Sequence, residues 1–425
     1  MSALAPAAEN SEFAARIGAN YSDNAARTST NEISTGAAVA GVQLAAQRPS
    51  GPLRFDVRAD LAYYDYFDNA VGDETLGSAA VAAAYDFLPE RFSWDLRANF
   101  DQIQNNLLLP LSPNNREDVT SLTTGPALRA RLGEALEAEL KGRYSITDYS
   151  KRDFDNDTVG AQLVVGHRYA AHGLIGAGGA YDKITYRSSR GLGAVDFDRR
   201  EAFARLQSSG ARTSVTADAG YSQVKGGSID DHSALYRVGL TRRLTPFISG
   251  HIELSREFPT SEAVANAAAA IGATAADAIL TAAPRLARTS SIGFTMDRSR
   301  TTADLVYLAR RETGALTATG RRSTDEVRGR IARKLTPRAK LTLFAGYVQD
   351  ELSIPVFNAD EFNVGGEFSV NFGRSLGLDL RVEHRNRNSS IASNEFSELS
   401  GGIFIRYGQV TPANFAPLQG AGLML

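Results

Sequence analysis

Cysteine is absent from these 425 residues, and the chain holds one Trp, three Met and five His. Without thiols there is no disulfide framework, no thiolate metal site and no cysteine nucleophile. So few Met and His leave little material for a haem or metal protein. An excess of either charge is also missing. Lys and Arg number 46 against 48 Asp and Glu, for a net charge of −2, which excludes a strongly basic nucleic-acid binder. No apolar run approaches the roughly 18 residues that a membrane-spanning helix requires. With 43% hydrophobic residues and a mean hydropathy of −0.23, the chain is too polar for a bundle of such helices. That exclusion does not reach a β-barrel, which hides its lipid face in alternate residues. The start, Met1-Ser2-Ala3-Leu4-Ala5-Pro6, has neither the basic stretch nor the apolar core of a signal peptide. The chain reads either as cytosolic or as a mature form with a start Met, and the strand pattern decides for the second.

What is present is alternation. In Leu53-Arg54-Phe55-Asp56-Val57-Arg58-Ala59-Asp60-Leu61 every odd position is apolar and every even one charged. A helix would scatter those charges around its surface, whereas period two places them on one face of a strand. The same code returns at 92–100, 136–144, 362–370 and 376–383, with weaker copies at 212–222, 246–256, 302–311 and 338–348. Short turns are expected at 48–52, 88–91, 132–135, 169–173, 208–212, 244–246, 297–301, 335–338 and 373–376. Longer polar segments are expected at 67–75, 105–118, 150–157, 187–197, 225–231, 258–288, 313–323, 351–360 and 388–395. Short turn, long loop, short turn is the layout of an outer-membrane barrel. The expected fold is all-β: one transmembrane antiparallel β-barrel of 18–20 strands, 20 preferred, with short periplasmic turns and longer extracellular loops. The barrel is placed at 12–408, after a flexible N-terminal segment 1–11 and before a C-terminal extension 409–425.

The charged face would be costly as a dry core, because each unpaired buried charge is heavily penalised. It suits the wall of a wet lumen, and a barrel of 16 or more strands is too wide for side chains to fill. Lumen-lining positions are therefore read as Arg54, Arg58, Arg97, Arg129, Arg131, Arg143, Arg328, Arg330, Lys334, Arg381 and Arg385. The expectation is a mildly cation-rich wall, in which arginine forks suit carboxylates and sugar hydroxyls. The segment 258–288 breaks the strand rule. It is Ala-rich, opens on Ser261 and Glu262, and reads as a helical insertion. Ser261, Glu262, Asn266 and Asp277 are the candidate constriction residues if it folds into the lumen rather than over the rim.

No catalytic, cofactor-binding or metal-ligating set stands out. Carboxylates two apart on one strand are everywhere and mostly have a basic neighbour. Ser255 lies four residues from His251 on one strand face, too far for a direct hydrogen bond. No P-loop, dinucleotide fingerprint or zinc-helix motif is present. The chain is expected to be no enzyme and to need no cofactor.

Residues 94–133 carry a more specific signal. Trp94, Phe100, Asn115, Arg116, Glu117, Val119, Gly125, Pro126, Leu132 and Gly133, with the opening Tyr21-Ser22-Asp23-Asn24, resemble a family of outer-membrane β-barrel porins. This is the second β-barrel porin group, whose members accompany exopolysaccharide-biosynthesis and PEP-CTERM sorting gene clusters. The resemblance implies the outer membrane of a Gram-negative bacterium and passive passage of surface polysaccharide, and supplies no catalytic residues. Alternatives are a general diffusion porin for small solutes or a non-conducting scaffold for export partners. Expected partners are outer-membrane lipid, polysaccharide or small solutes, and periplasmic polysaccharide-export proteins. Nucleic acid is excluded and a monomer expected. The last strand is expected to finish at Tyr407.

Overall fold

The computed structural model describes residues 10–409 apart from 70, 171, 188–194, 228, 261–283, 315–319 and 354–355. These residues form twenty strands. They are β1 (Asn10–Ser22), β2 (Thr35–Arg48), β3 (Leu53–Tyr66), β4 (Glu74–Leu88), β5 (Phe92–Gln104), β6 (Arg116–Arg131), β7 (Leu136–Tyr149), β8 (Asn156–Ala170), β9 (Gly173–Tyr186) and β10 (Phe197–Ser209). There follow β11 (Thr213–Gly226), β12 (Ile229–Arg243), β13 (Ile248–Glu257), β14 (Arg285–Arg298), β15 (Thr301–Gly314), β16 (Arg321–Lys334), β17 (Ala339–Ser353), β18 (Val356–Phe372), β19 (Leu376–Ser389) and β20 (Phe396–Gln409). Each pairs antiparallel with its neighbour in sequence, and β1 closes on β20, with Ala14 opposite Gly408 and Ser22 opposite Ser400. Closure leaves no strand edge unpaired, which a lipid environment demands. The chain is a closed 20-stranded transmembrane barrel.

Burial runs opposite to that of a soluble protein. Ile17, Leu305, Leu343 and Ile403 are about half exposed or more, while Glu117, Asp182 and Glu312 are at most 2% exposed. In water this would forfeit the hydrophobic drive and strand the charges. In a bilayer the apolar side chains meet lipid and the charges face one another across the inner wall. Exposed aromatics mark two belts. Tyr63, Tyr181, Tyr221 and Tyr347 lie towards the long-loop end, and Tyr85, Trp94, Tyr169, Phe372 and Tyr407 towards the short-turn end. Aromatic girdles at both interfaces are the ordinary anchors of such barrels.

All nine short connections fall where the sequence placed them. In the β6–β7 turn Gly133 stands at φ +101°, a conformation that L side chains rarely adopt. The long-loop end holds three differences. The β1–β2 connection, 23–34, is a tenth long loop, hidden because its strands are Ala- and Gly-rich. The polar stretches 225–231 and 351–360 are mostly strand: Lys225 pairs with Asp230 and Glu351 with Asn358. Beyond the lipid both faces are polar, so alternation fades while backbone pairing continues. β1 also starts two residues before position 12, because Asn10 and Ser11 extend the ladder opposite Gln47 and Ala46.

Candidate functional site

Strand parity sets the inner wall, and the eleven singled-out basic residues all occupy inward register positions. Arg54 pairs with Asp86 at 2.9 Å, Arg58 with Asp56 at 2.7 Å and Arg129 with Glu139 at 2.7 Å. Arg143 pairs with Asp182 and Arg328 with Glu326. Arg381 and Arg385 share Glu383 at 2.8 and 2.6 Å. Arg97 is half-buried on β5, and Arg330 lines the same cavity as Asp304. Arg131 and Lys334 stand exposed at the short-turn ends of β6 and β16, with Arg131 on Glu90 at 2.6 Å. The wall is thus a lattice of matched charges rather than a cationic surface. The expected cation excess gives way because inward acids meet these arginines both two residues along the same strand, as Asp56 and Glu383 do, and from neighbouring strands, as Asp86 and Glu139 do.

The densest part of the lattice escaped the sequence reading. Buried Asp182 on β9 accepts from Arg199 Nε and Nη2 at 3.0 and 2.7 Å, and from Arg143 two strands away. Gly160 on β8 lies between them, and a Cβ there would fall 1.9 Å from Asp182 Oδ1. The glycine is the gap through which one carboxylate serves two strands. Arg237 continues the network, donating to Glu201 at 2.8 Å and Glu257 at 2.6 Å, and Arg205 clasps Asp218 through two nitrogens. Period-two parity across Arg199, Glu201, Phe203 and Arg205 was the available signal.

Inside the barrel lies a cavity of about 740 Å³, lined by Arg58, Asp60, Arg328, Arg381, Glu383 and Arg385 among others. Four inner-wall arginines lie over buried or half-buried rings: Arg16 over Phe404, Arg27 over Phe396, Arg381 over Phe344 and Arg387 over Phe357. The rings hold the guanidinium planes while the forks engage carboxylates: Arg16 meets Asp60, Arg27 Glu398, Arg381 Glu383 and Arg387 Glu361.

Leu111 also lines this cavity, because the β5–β6 loop, 105–115, turns inward. Its fold is set by Asn115, 5% exposed, whose Nδ2 donates to the carbonyls of Asn106, Leu109 and Pro110, while its Oδ1 accepts from Asn106 N. Two ties fix it to the loops beside β1 and β20. Arg27, in the 23–34 loop, donates to the Leu111 carbonyl and to Glu398 Oε2, the latter at 2.8 Å. Asn394, before β20, donates to the Leu108 carbonyl at 2.7 Å. From β6 to β1 is five strand intervals, about 24 Å along the wall at about 4.8 Å each. Five of the twenty intervals is a quarter of the circumference, so the loop overhangs one quadrant of the mouth. Burial opposes the Arg27 charge, but Glu398 and then Glu361 outweigh it and push its pKa up, so the tie stays ionic.

The expected constriction residues Ser261, Glu262, Asn266 and Asp277 lie outside the described residues. The stub 258–260 turns inward: Phe258 is 1% exposed, packs against Ile184, Phe197, Val224 and Ile229, and its carbonyl accepts from Arg199 Nη1 at 2.7 Å. Among the described residues no group of His and carboxylates is placed to hold a metal ion. His251 and Ser255 share the inner face of β13, about 13 Å apart along the strand.

Comparison with solved structures finds matches of low similarity. An iron transporter, FrpB, from Neisseria meningitidis in its apoprotein form matches with a TM-score of 0.45 and 10% identity, over 94% of this chain and 81% of that one. The ferric citrate transporter FecA in the unliganded form matches with a TM-score of 0.44 and 10% identity, over 93% and 79%. OmpT, an outer-membrane protein of Vibrio cholerae lacking loop L8, matches with a TM-score of 0.34 and 8% identity, over 94% and 99%. No family model and no curated protein matches.

Of the residues singled out at 94–133, Asn115, Arg116 and Glu117 lie at the mouth with Asp23 and Asn24, whereas Trp94, Gly125, Pro126, Leu132 and Gly133 lie towards the short-turn end. Asn115 knots the inward loop and Arg116 meets Glu74 at 2.5 Å. Glu117 accepts from the backbone N–H groups of Lys151 and Arg152 at 3.0 and 2.6 Å. Asp23 accepts from Leu399 N, and Asn24 donates to the Thr28 and Ser397 carbonyls. In this chain the motif is the chemistry that shapes two loops.

Proposed function

We propose that this barrel sits in the outer membrane of a Gram-negative bacterium and passes a hydroxyl-rich chain, a surface or secreted polysaccharide, passively through its lumen. The observation that carries the reading is the inner wall. Arginine forks interleaved with carboxylates, the part-exposed Arg58, Arg328, Arg381 and Arg385 among them, present donors and acceptors to sugar hydroxyls. Matched charge also lets a neutral polymer slide without a deep electrostatic trap, since conduction requires that binding be weak enough to leave. A binding lumen needs no cofactor and no covalent chemistry.

The test is conductance of the purified protein in a planar bilayer, with and without polysaccharide. Stable channels that flicker or close on polymer addition support the reading, and channels indifferent to polymer point to a general diffusion porin. A second reading, a non-conducting scaffold, is favoured by the Arg27–Leu111 and Asn394–Leu108 ties that hold a loop over part of the mouth. A folded barrel that never opens would establish it.

Selectivity gives an independent check. Arg381 and Arg385 neutralise Glu383, and Arg387 lies 3.5 Å from Glu361. Replacing the three arginines with Gln leaves those carboxylates uncompensated, so the reversal potential in a salt gradient shifts towards cation preference. An unchanged potential would mean that ions do not pass this sector.

A further inference from the structure

The outer surface carries a basic row that the lumen does not explain. In register, Arg256 on β13 stands opposite Arg288 on β14, which stands opposite Arg311 on β15. Their parity is that of Ile252, Ile292 and Tyr307, four residues nearer the short-turn end, so all three point out of the barrel. Like charges directly opposite on neighbouring strands repel, with Cβ atoms roughly 5 Å apart. Asp325 meets Arg311 at 2.6 Å, but no ion pair joins Arg256 or Arg288 to a carboxylate among the described residues. Arg256 Nε is buried without a hydrogen-bond partner among them.

Height fixes what can neutralise the row. Directly below it lie Leu254, Ser290 and Ala309, then Ile252, Ile292 and Tyr307. Leu254, Ile292 and Tyr307 are exposed on the lipid-facing side. Arg311 stands about 13 Å along the strand beyond Tyr307, three residues from the long-loop end of β15. The arginines therefore stand where an outer-leaflet headgroup would lie, above a strip where acyl chains would run.

We propose that Arg256, Arg288 and Arg311 form a site for the phosphate of an outer-leaflet glycolipid, its acyl chains lying on Leu254 and Ile292. Guanidinium forks suit phosphate oxygens, and Ser290 and Ser323, adjacent in register, supply hydroxyl donors. The site rests on the outer-membrane reading.

The test is native mass spectrometry of the folded barrel in detergent, titrated with diphosphoryl lipid A, dephosphorylated lipid A and inorganic phosphate. Diphosphoryl lipid A should be retained, and the triple variant Arg256→Gln, Arg288→Gln, Arg311→Gln should weaken it roughly a hundredfold, at about fivefold per charge. Dephosphorylated lipid A should bind the native barrel as weakly as the variant binds the intact lipid. Equal retention by native and variant protein overturns the site, and so does inorganic phosphate binding as tightly as the lipid. Heat-modifiable gel migration confirms that the variant is folded. Membrane fractionation of the expressed protein tests location separately, so lipid retention by a barrel found elsewhere would overturn the location and not the site.

Discussion

Excising residues 107–113 and joining the ends with a short Gly-Ser link should raise single-channel conductance roughly twofold or more, because the narrowest cross-section dominates pore resistance. The loop occupies the lumen only because Asn115 knots it and Arg27 and Asn394 hold its far side. Most of its backbone bonds close within the loop or onto loops 23–34 and 390–395, so the barrel wall should survive its removal. The single variants Arg27→Ala and Asn394→Ala leave the loop in place but untethered. They should give noisy channels that switch between the native level and the larger one. Conductance unchanged by the excision would show that the path lies beside the loop, and the constriction would have to be sought in 258–288.

Asp182→Ala should cost about 3–5 kcal/mol of barrel stability, the usual cost of stripping one partner from a buried ion pair. Arg199 and Arg143 both depend on this carboxylate, and the nearest alternative for Arg199, Glu201, is 3.8 Å away and already engaged by Arg237. The readout is the urea midpoint of heat-modifiable migration in micelles. Gly160→Val should be destabilising for a related reason, since its Cβ would displace Asp182 Oδ1. The double variant Asp182→Leu, Arg199→Met should recover much of the loss, because replacing a buried pair outright is often near neutral. A midpoint unmoved in Asp182→Ala would mean that water reaches these charges and that this half of the lumen is wet.

How legible each part was follows from the range of the forces involved. Leu53–Leu61 alone specifies a strand, its two faces and its need for two different surroundings, because side-chain alternation is a property of one backbone. The nine tight turns were legible for the same reason, since each is a local break in that pattern. Where lipid ends, as at Lys225 and Asp230, the alternation that signals a strand disappears although the ladder goes on. Asn115 and Arg116 were visible as a family-like motif, but not as the knot of an inward loop. Asn115 closes on 106–110 within its own loop, in a fold with no periodic signature, and Glu74 becomes a neighbour of Arg116 only once the hairpins are laid side by side.

The sequence by itself determined the barrel, its inward charges and its two ends, because pleat, turn chemistry and lipid compatibility act within a hairpin. Only the tertiary structure decided which acid meets which arginine, which loop enters the lumen and that three arginines face lipid in a row. Those depend on register across many strands. Asp182 serves Arg143 across Gly160, and Arg27 reaches Leu111 over 84 positions of chain, so closing the sheet brings together groups that no local pattern relates.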